Sequence, residues 1–135
     1  MILKSLRLHN IRSYADEKVD FPEKATLLSG DIGSGKSTIL MAVDFALFGL
    51  KRGELQGSDI LRHGKDEGFV ELEFESGGRL VIIKRTLKRG KSVSQDSGSM
   101  SIGGVENVMS PMELKAVIMD MLGYSQPSIF RYTVY

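Results

Sequence analysis

The chain contains no cysteine and no tryptophan, and its only histidines are His9 and His63. Because cysteine is absent, the chain can form neither a disulfide framework nor a thiolate metal site, and two histidines are too few for a histidine-rich metal centre. No apolar run approaches the roughly 18 residues that a membrane-spanning helix needs. The alternating N-terminus also lacks the apolar core of a signal peptide. We therefore expect a cytoplasmic protein with no membrane partner.

An excess of one charge is also lacking. Lysine and arginine together number 18 and the acidic residues 17, which leaves a net charge of +1. The bulk charge therefore does not indicate a nucleic-acid partner. The composition is otherwise that of a globular protein, with 135 residues of which 41% are hydrophobic and 26% charged. This is enough for one domain with its own core.

Alternation of apolar and polar residues predicts strands at residues 2–9, 18–21, 69–75 and 79–86, the last two joined by a turn at 76–78. Residues 10–14 and 51–65 are expected to be connections. Residues 88–104 are expected to be a Gly-, Ser- and Lys-rich connection with a short edge strand at 100–102. One helix is predicted at residues 37–48, stopped by Gly49, and another from Pro111 to about Leu122 with Ser110 as its N-cap. The fold class is therefore α/β, an antiparallel β-rich sheet joined to a strand–loop–helix core.

Residues 30–37 read G-D-I-G-S-G-K-S, a complete G-x-x-x-x-G-K-[ST] phosphate loop. A short apolar stretch at residues 25–29 precedes it and the predicted helix follows, which is the strand–loop–helix setting that the motif requires. The glycines let backbone N–H groups turn inward as an anion nest, Lys36 reaches the β- and γ-phosphates, and the Ser37 hydroxyl binds Mg²⁺. The sequence therefore predicts a nucleotide and Mg²⁺ site. Its members are Gly30, Asp31, Ile32, Gly33, Ser34, Gly35, Lys36, Ser37 and Thr38.

Hydrolysis requires a second acidic residue near Mg²⁺, usually at the end of an apolar strand. No apolar run in the chain ends in Asp-Glu. The nearest candidate is Asp120, which lies inside the second predicted helix and is better interpreted as a surface carboxylate. Lys36 is then the one catalytic group that the residues themselves supply. The chain is predicted to bind a nucleotide with only half of the hydrolytic machinery.

Several cations outside the loop allow two interpretations each. Arg12, in the connection at residues 10–14, is either solvated or close to the phosphates. Residues 58–64 either cap a turn or contribute to the site. A basic cluster lies around the hairpin and is either an exposed ribbon or a contact for a nucleic-acid backbone. The cluster consists of Lys84, Arg85, Lys88, Arg89 and Lys91.

The order of these motifs resembles a known family. A strand, then N-I-R-S-Y at residues 10–14, V-D-F at 19–21, the phosphate loop and I-L-M-A-V at 39–43 are similar to the start of the SMC and double-strand-break-repair ATPases, above all the Rad-fifty type. The resemblance implies a P-loop NTPase of the ABC-ATPase type. It covers nearly the whole chain, strongly over residues 1–49. Asp31-Ile32 departs from the Gln-Asn or Pro-Asn pair that is commoner at these positions.

In that family the ATPase head is split, so the resemblance implies that residues 1–135 are a single N-terminal lobe that stops before the Q-loop glutamine. The coiled coil and the C-terminal lobe, with the signature motif and the Walker B acid, would lie elsewhere, and the fragment alone would be inactive. The resemblance adds Arg12 to the nucleotide site, together with the loop residues Arg62, His63 and Gly64. It makes the DNA interpretation of the basic cluster as strong as the exposed-ribbon one.

The resemblance also implies partners: the C-terminal lobe of the same ATPase, a second head in an ATP-sandwich homodimer, an Mre-eleven-type nuclease and double-stranded DNA ends. The protein would be nucleoid-associated if its source is prokaryotic. Two other classes stay open. A small P-loop kinase would usually begin directly with the strand into the loop and carry an arginine-rich lid. An ABC transporter ATPase lobe shares the core but normally lacks the Asn-Ile-Arg-Ser loop.

Overall fold

A computed structural model of the chain describes residues 2–21, 36–50 and 57–122. The expected strand at residues 25–29, the glycines of the phosphate loop and the terminal segment all lie outside the described residues. The side chains of Lys36 and Ser37 do so as well. The described elements, in chain order, are β1 (Ile2–Ile11), β2 (Tyr14–Asp20), α1 (Lys36–Phe48), α2 (Gly57–Ile60), β3 (Glu67–Ser76), β4 (Arg79–Arg89), β5 (Val93–Ile102), β6 (Val105–Met109) and α3 (Pro111–Leu122).

The six strands form one sheet in the order β2-β1-β3-β4-β5-β6, and every neighbouring pair is antiparallel. Burial alternates along β3 and β4 with period two, so one face of the sheet is apolar. α1 packs on β3 and β4 over this face, and α3 packs beside it on β5 and β6. The core lies between the sheet and these two helices. It includes Leu6, Leu8, Val70, Leu72, Phe74, Val81, Ile83, Leu114 and Ile118.

Helix α1 is buried along its last two turns, from Ala42 to Phe48. Its apolar residues pack against the sheet and against α3, which explains why such a hydrophobic segment is stable here. Gly49 adopts φ +76° and its N–H donates to Phe45 O at 2.7 Å. A left-handed glycine closing the last turn is the predicted C-terminal cap. The expected helix and its stop are therefore confirmed.

The start of α3 is also as predicted. Ser110 Oγ accepts the Glu113 backbone N–H, and the Ser110 N–H donates to Glu113 Oε1, both at 3.2 Å. These reciprocal bonds form a capping box. Asp120 lies on the exposed surface of α3, as the surface interpretation requires. None of the described helices is long and apolar enough to cross a bilayer.

Two expectations about the connections are wrong. Residues 88–104 are mainly strand: β4 runs on to Arg89, and the expected edge strand at 100–102 is the end of β5, which is an interior strand. The expected loop at residues 10–14 is mostly the hairpin of β1 and β2, with a turn at Arg12 and Ser13 only. The connection at 51–65 contains the short helix α2. Pairing to neighbouring strands, which local pattern does not reveal, overrides the polar composition in each of the two β segments.

Candidate functional site

Helix α1 begins at Lys36, directly after the glycines of the phosphate motif. Ser37 and Thr38 follow in its first turn, and Thr38 is half-buried. The first N–H groups of a helix have no intrahelical partner and carry the positive end of its dipole, so they attract anions. The structure therefore places the predicted cationic and hydroxyl residues at a helix N-terminus. The contacts of Gly30, Asp31, Ile32, Gly33, Ser34 and Gly35 stay predictions.

The turn between β1 and β2 is docked onto the segment that follows α2. The Arg12 N–H donates to Ile60 O at 2.8 Å, and the Arg62 N–H donates to Asn10 O at 2.9 Å. Ile11 and Leu61, both buried, form an isolated antiparallel bridge between these bonds. Two segments about 50 positions apart in the chain are thus joined as a short strand pair.

The guanidinium groups reinforce this junction. Arg12 Nε donates to Asp59 O at 3.1 Å, and Arg62 Nη1 donates to Arg12 O at 3.3 Å. Both arginines are half-buried, whereas His63 and Gly64 are exposed in the following turn. The structure therefore brings Arg12 and Arg62 together, as a shared site requires. Their contact with a nucleotide, and that of His63 and Gly64, stays a prediction.

The backbone of this junction is unusual. Asn10 and Arg12 have φ values of +53° and +48°, in the left-handed region that favours glycine. Asparagine tolerates this conformation, and its Nδ2 donates to Glu67 O at 3.0 Å. Arginine has no such preference, so the surrounding hydrogen bonds must hold Arg12 in place. A strained residue that is held by several contacts is typical of functional sites.

The basic cluster around the hairpin does not form one patch. Lys84 Nζ lies 4.3 Å from the centre of the Phe69 ring, and Lys88 Nζ pairs with Asp96 Oδ2 at 3.0 Å. Arg89 instead supports the junction described above: its Nε donates to Lys65 O at 2.9 Å and its Nη2 to Arg62 O at 3.5 Å. Lys91 is exposed. The cluster is split between two faces of the sheet.

Arg85 is the residue for which both interpretations of the cluster are wrong, because it is only 2% exposed. Its side chain donates to the carbonyls that end α1: Nε to Ala46 O at 2.8 Å and Nη2 to Leu47 O at 3.1 Å. Burial lowers the pKa of Arg85 to about 10, and the group stays charged at neutral pH. The period-two alternation of β4 carries the signal, because it places Arg85 on the same face as Val81 and Ile83.

The face of the sheet away from the helices carries mixed charges. A shallow cleft of about 430 Å³ is lined by two cations, Arg7 and Lys18, and by four carboxylates. The lining carboxylates are Asp16, Glu17, Glu71 and Glu73. Such a lining does not favour a phosphate group. Nor does the described part of the chain hold a cluster of three or more residues suited to a metal ion.

Comparison with known proteins gives the family. The model of the AAA domain family matches residues 5–135. The DNA double-strand break repair Rad50 ATPase of Methanococcus maripaludis is 31% identical over 135 residues, which is 100% of this chain and 13% of the relative. That of Thermoplasma volcanium is 36% identical over 119 residues, 84% of this chain and 13% of the relative. The chain thus spans about an eighth of the length of these relatives.

Two solved structures share the fold. The recombination mediator protein RecF in its ATP form superposes with a TM-score of 0.60 at 21% identity, over 83% of this chain and 30% of that one. The SMC head domain from Thermotoga maritima gives a TM-score of 0.50 at 23% identity, over 87% of this chain and 42% of that one. This likeness confirms the expected α/β fold. The chain therefore belongs to the AAA domain family.

Proposed function

We propose that this chain is the ATP-binding lobe of a DNA double-strand-break-repair ATPase. The observation that carries the proposal is the complete phosphate motif leading into α1, which sets Lys36 and Ser37 in the first turn of a buried helix. The likeness to Rad50 ATPases over up to the whole chain supports the repair assignment. No specific observation favours the kinase or the transporter lobe.

The donor set fits Mg-ATP. Backbone N–H groups of the glycine loop and the start of α1 would hold the phosphate oxygens, and Lys36 would neutralise charge on the β- and γ-phosphates. Ser37 supplies one hard oxygen ligand, and Mg²⁺ takes its other ligands from phosphate and water. When bound, the metal would neutralise charge that develops on the phosphates. Arg12 and Arg62 would face the same site from the junction between β1 and α2.

Hydrolysis would require the other half of the head. Among the described residues, the carboxylate that came nearest to a Walker B acid, Asp120, lies on an exposed helix surface. We therefore assign the catalytic acid and the signature motif to a C-terminal lobe of the same ATPase. ATP held between two such heads would favour a closed homodimer, and its hydrolysis would release that dimer. Coupling to DNA ends and to an Mre-eleven-type nuclease belongs to this assembly.

The test is Mg-ATP binding and turnover by the chain alone and with a C-terminal lobe added. Lys36→Ala should abolish binding, whereas Lys18→Ala, which removes an exposed lysine on β2, should leave it unchanged. We expect no turnover above the Lys36→Ala background until the second lobe is present. Turnover by the chain alone would mean that the catalytic acid lies within these residues, and the split-head proposal would then fail.

A further inference from the structure

The C-terminal end of α1 is held by a buried cation. The last carbonyls of a helix have no intrahelical partner. Here the Gly49 N–H donates to Phe45 O, and the Arg85 guanidinium donates to the next two carbonyls, Ala46 O and Leu47 O. A guanidinium presents its donors in a rigid plane, so two bonds from one fork fix both the position and the direction of the helix end.

The same side chain reaches two further elements. Its Nη1 donates to Pro111 O, at the start of α3, at 3.3 Å and to Gln95 Oε1, on β5, at 3.5 Å. The guanidinium is thus bonded to α1, to α3 and to the sheet at one point. No buried side-chain nitrogen or oxygen in the described ranges lacks a partner, so this connection is fully satisfied.

One glycine leaves room for the guanidinium, and a second allows a bulge in the neighbouring strand. β5 bulges opposite Arg85, because Lys84 pairs with Ser99 while Thr86 pairs with Asp96. A Cβ on Gly98 in this bulge would clash with Lys84 O, whereas a Cβ on Gly49 would lie 2.6 Å from Gln95 Oε1 and 3.1 Å from Arg85 Nη1. A bulge is a common device for redirecting a side chain. The local sequence is therefore arranged around the guanidinium.

Stability alone is a weak reason to bury an arginine here, because well-packed apolar residues often serve a core as well as a buried charged group does. A planar fork instead specifies one geometry. α1 is a rod of 13 residues, about 18 Å from its first to its last residue, and its last two turns are packed on all sides. A change of direction at the end near Arg85 therefore displaces the opposite end, where the phosphate motif enters the helix.

We propose that Arg85 is a positioning residue for the phosphate site: by holding the last turn of α1 it sets where Lys36 and Ser37 lie. Arg85 acts through the helix and touches no ligand. The expected effect on Mg-ATP binding rests on the proposed function. Misplacing binding groups by about 1 Å can cost up to a hundredfold in activity.

The experiment uses three variants of the full chain. Arg85→Met removes the charge and the fork, and Arg85→Lys keeps a charge without the fork. Arg79→Met, which removes an exposed arginine from the start of the same strand, is the matched control. Mg-ATP affinity is measured at a temperature at which every variant is folded. The amide nitrogen and proton shifts of residues 36–38 are measured by NMR without ATP.

We expect Arg85→Met to weaken Mg-ATP binding about tenfold or more and to shift these amides, with Arg85→Lys intermediate and Arg79→Met unchanged. A variant that loses thermal stability but keeps its affinity within about twofold, with unshifted amides, would show a role in stability only and would overturn the proposal. If Arg85→Met does not fold, Arg85→Lys decides by the same two measurements. Absence of Lys36-dependent binding in the unmodified chain would instead refute the proposed function, while the amides would still test the effect of Arg85 on the helix.

Discussion

Two arginine sites in this chain use the same chemistry in opposite surroundings. At Arg85 the guanidinium is buried and bonds to carbonyls at a helix end. At the junction, Arg12 and Arg62 also donate to backbone carbonyls, but both are half-buried. A buried fork whose three nitrogens all donate within the protein is inaccessible to a ligand. A half-buried one can exchange a bond of 3.1–3.3 Å for a phosphate oxygen at small cost. Burial would therefore separate the proposed positioning arginine from the two proposed binding ones.

The largest expected effect is on the stability of Arg85→Met. The carbonyls of Ala46 and Leu47 would stay buried without a donor, which we expect to cost about 2–4 kcal/mol in free energy of unfolding. The relief of burying a charge offsets part of this loss. Urea unfolding followed by circular dichroism measures the difference, with the m-value checked for constancy.

Arg62→Met is the control at the other site. It removes one bond of 3.3 Å at a half-buried position, so the loss should stay below about 1 kcal/mol. Equal losses for Arg85→Met and Arg62→Met would break the comparison, because burial would then not distinguish the two sites.

A second prediction isolates the contact between the end of α1 and the Arg85–Gln95 pair. Gly49 and Gly78 both have φ +76°, but a Cβ on Gly49 would lie 2.6 Å from Gln95 Oε1, whereas Gly78 has open space around it. Gly78→Ala should cost about 1–2 kcal/mol for the left-handed conformation alone. Gly49→Ala should cost about 1 kcal/mol more, because Gln95 must move.

Thermal or urea unfolding of both variants gives the difference directly. If the two alanine variants lose the same stability, the space around Gly49 adapts freely. The tight arrangement about Arg85 would then not be what holds the helix end.

Much of this fold could be predicted from the sequence, because its signals are local. The apolar segment of α1, its glycine stop and the Ser110 capping box depend on neighbours within a few residues. β5 could not be predicted in the same way. Its sequence, V-S-Q-D-S-G-S-M-S-I, is rich in serine and poor in strand-forming residues, and its place in the sheet comes from pairing on both sides.

The candidate site likewise has a part that local sequence predicts and a part that depends on contacts between distant segments. The phosphate motif is contiguous and was evident from residue types alone. The proximity of Arg12 to Arg62 depends on a contact between distant segments, which only the resemblance implied. Arg85 did carry a local signal, the alternation of β4, but its neighbours Lys84 and Lys88 favoured its interpretation as part of an exposed basic cluster.

The smallest expected effect concerns an ion pair that is more exposed than either arginine site, the pair of Lys88 and Asp96. The hydrogen bond from Lys88 lowers the pKa of Asp96 below its ordinary 3.8, and the same bond raises the pKa of Lys88 above 10.5. The folded protein thus binds the Asp96 proton less readily than the unfolded chain does. The stabilisation is therefore present above about pH 4 and is lost as the pH falls through the folded-state pKa. For Lys88 the stabilisation is present below pH 10.5 and is lost as the pH rises through the folded-state pKa.

Asp96→Asn should then cost a little stability at pH 7, less in high salt, and nothing in strong acid. The urea midpoints of the unmodified protein and of Asp96→Asn, measured at pH 7 and in strong acid, test this. If Asp96→Asn loses as much stability in acid as at pH 7, the charge of the carboxylate is not the source of the loss.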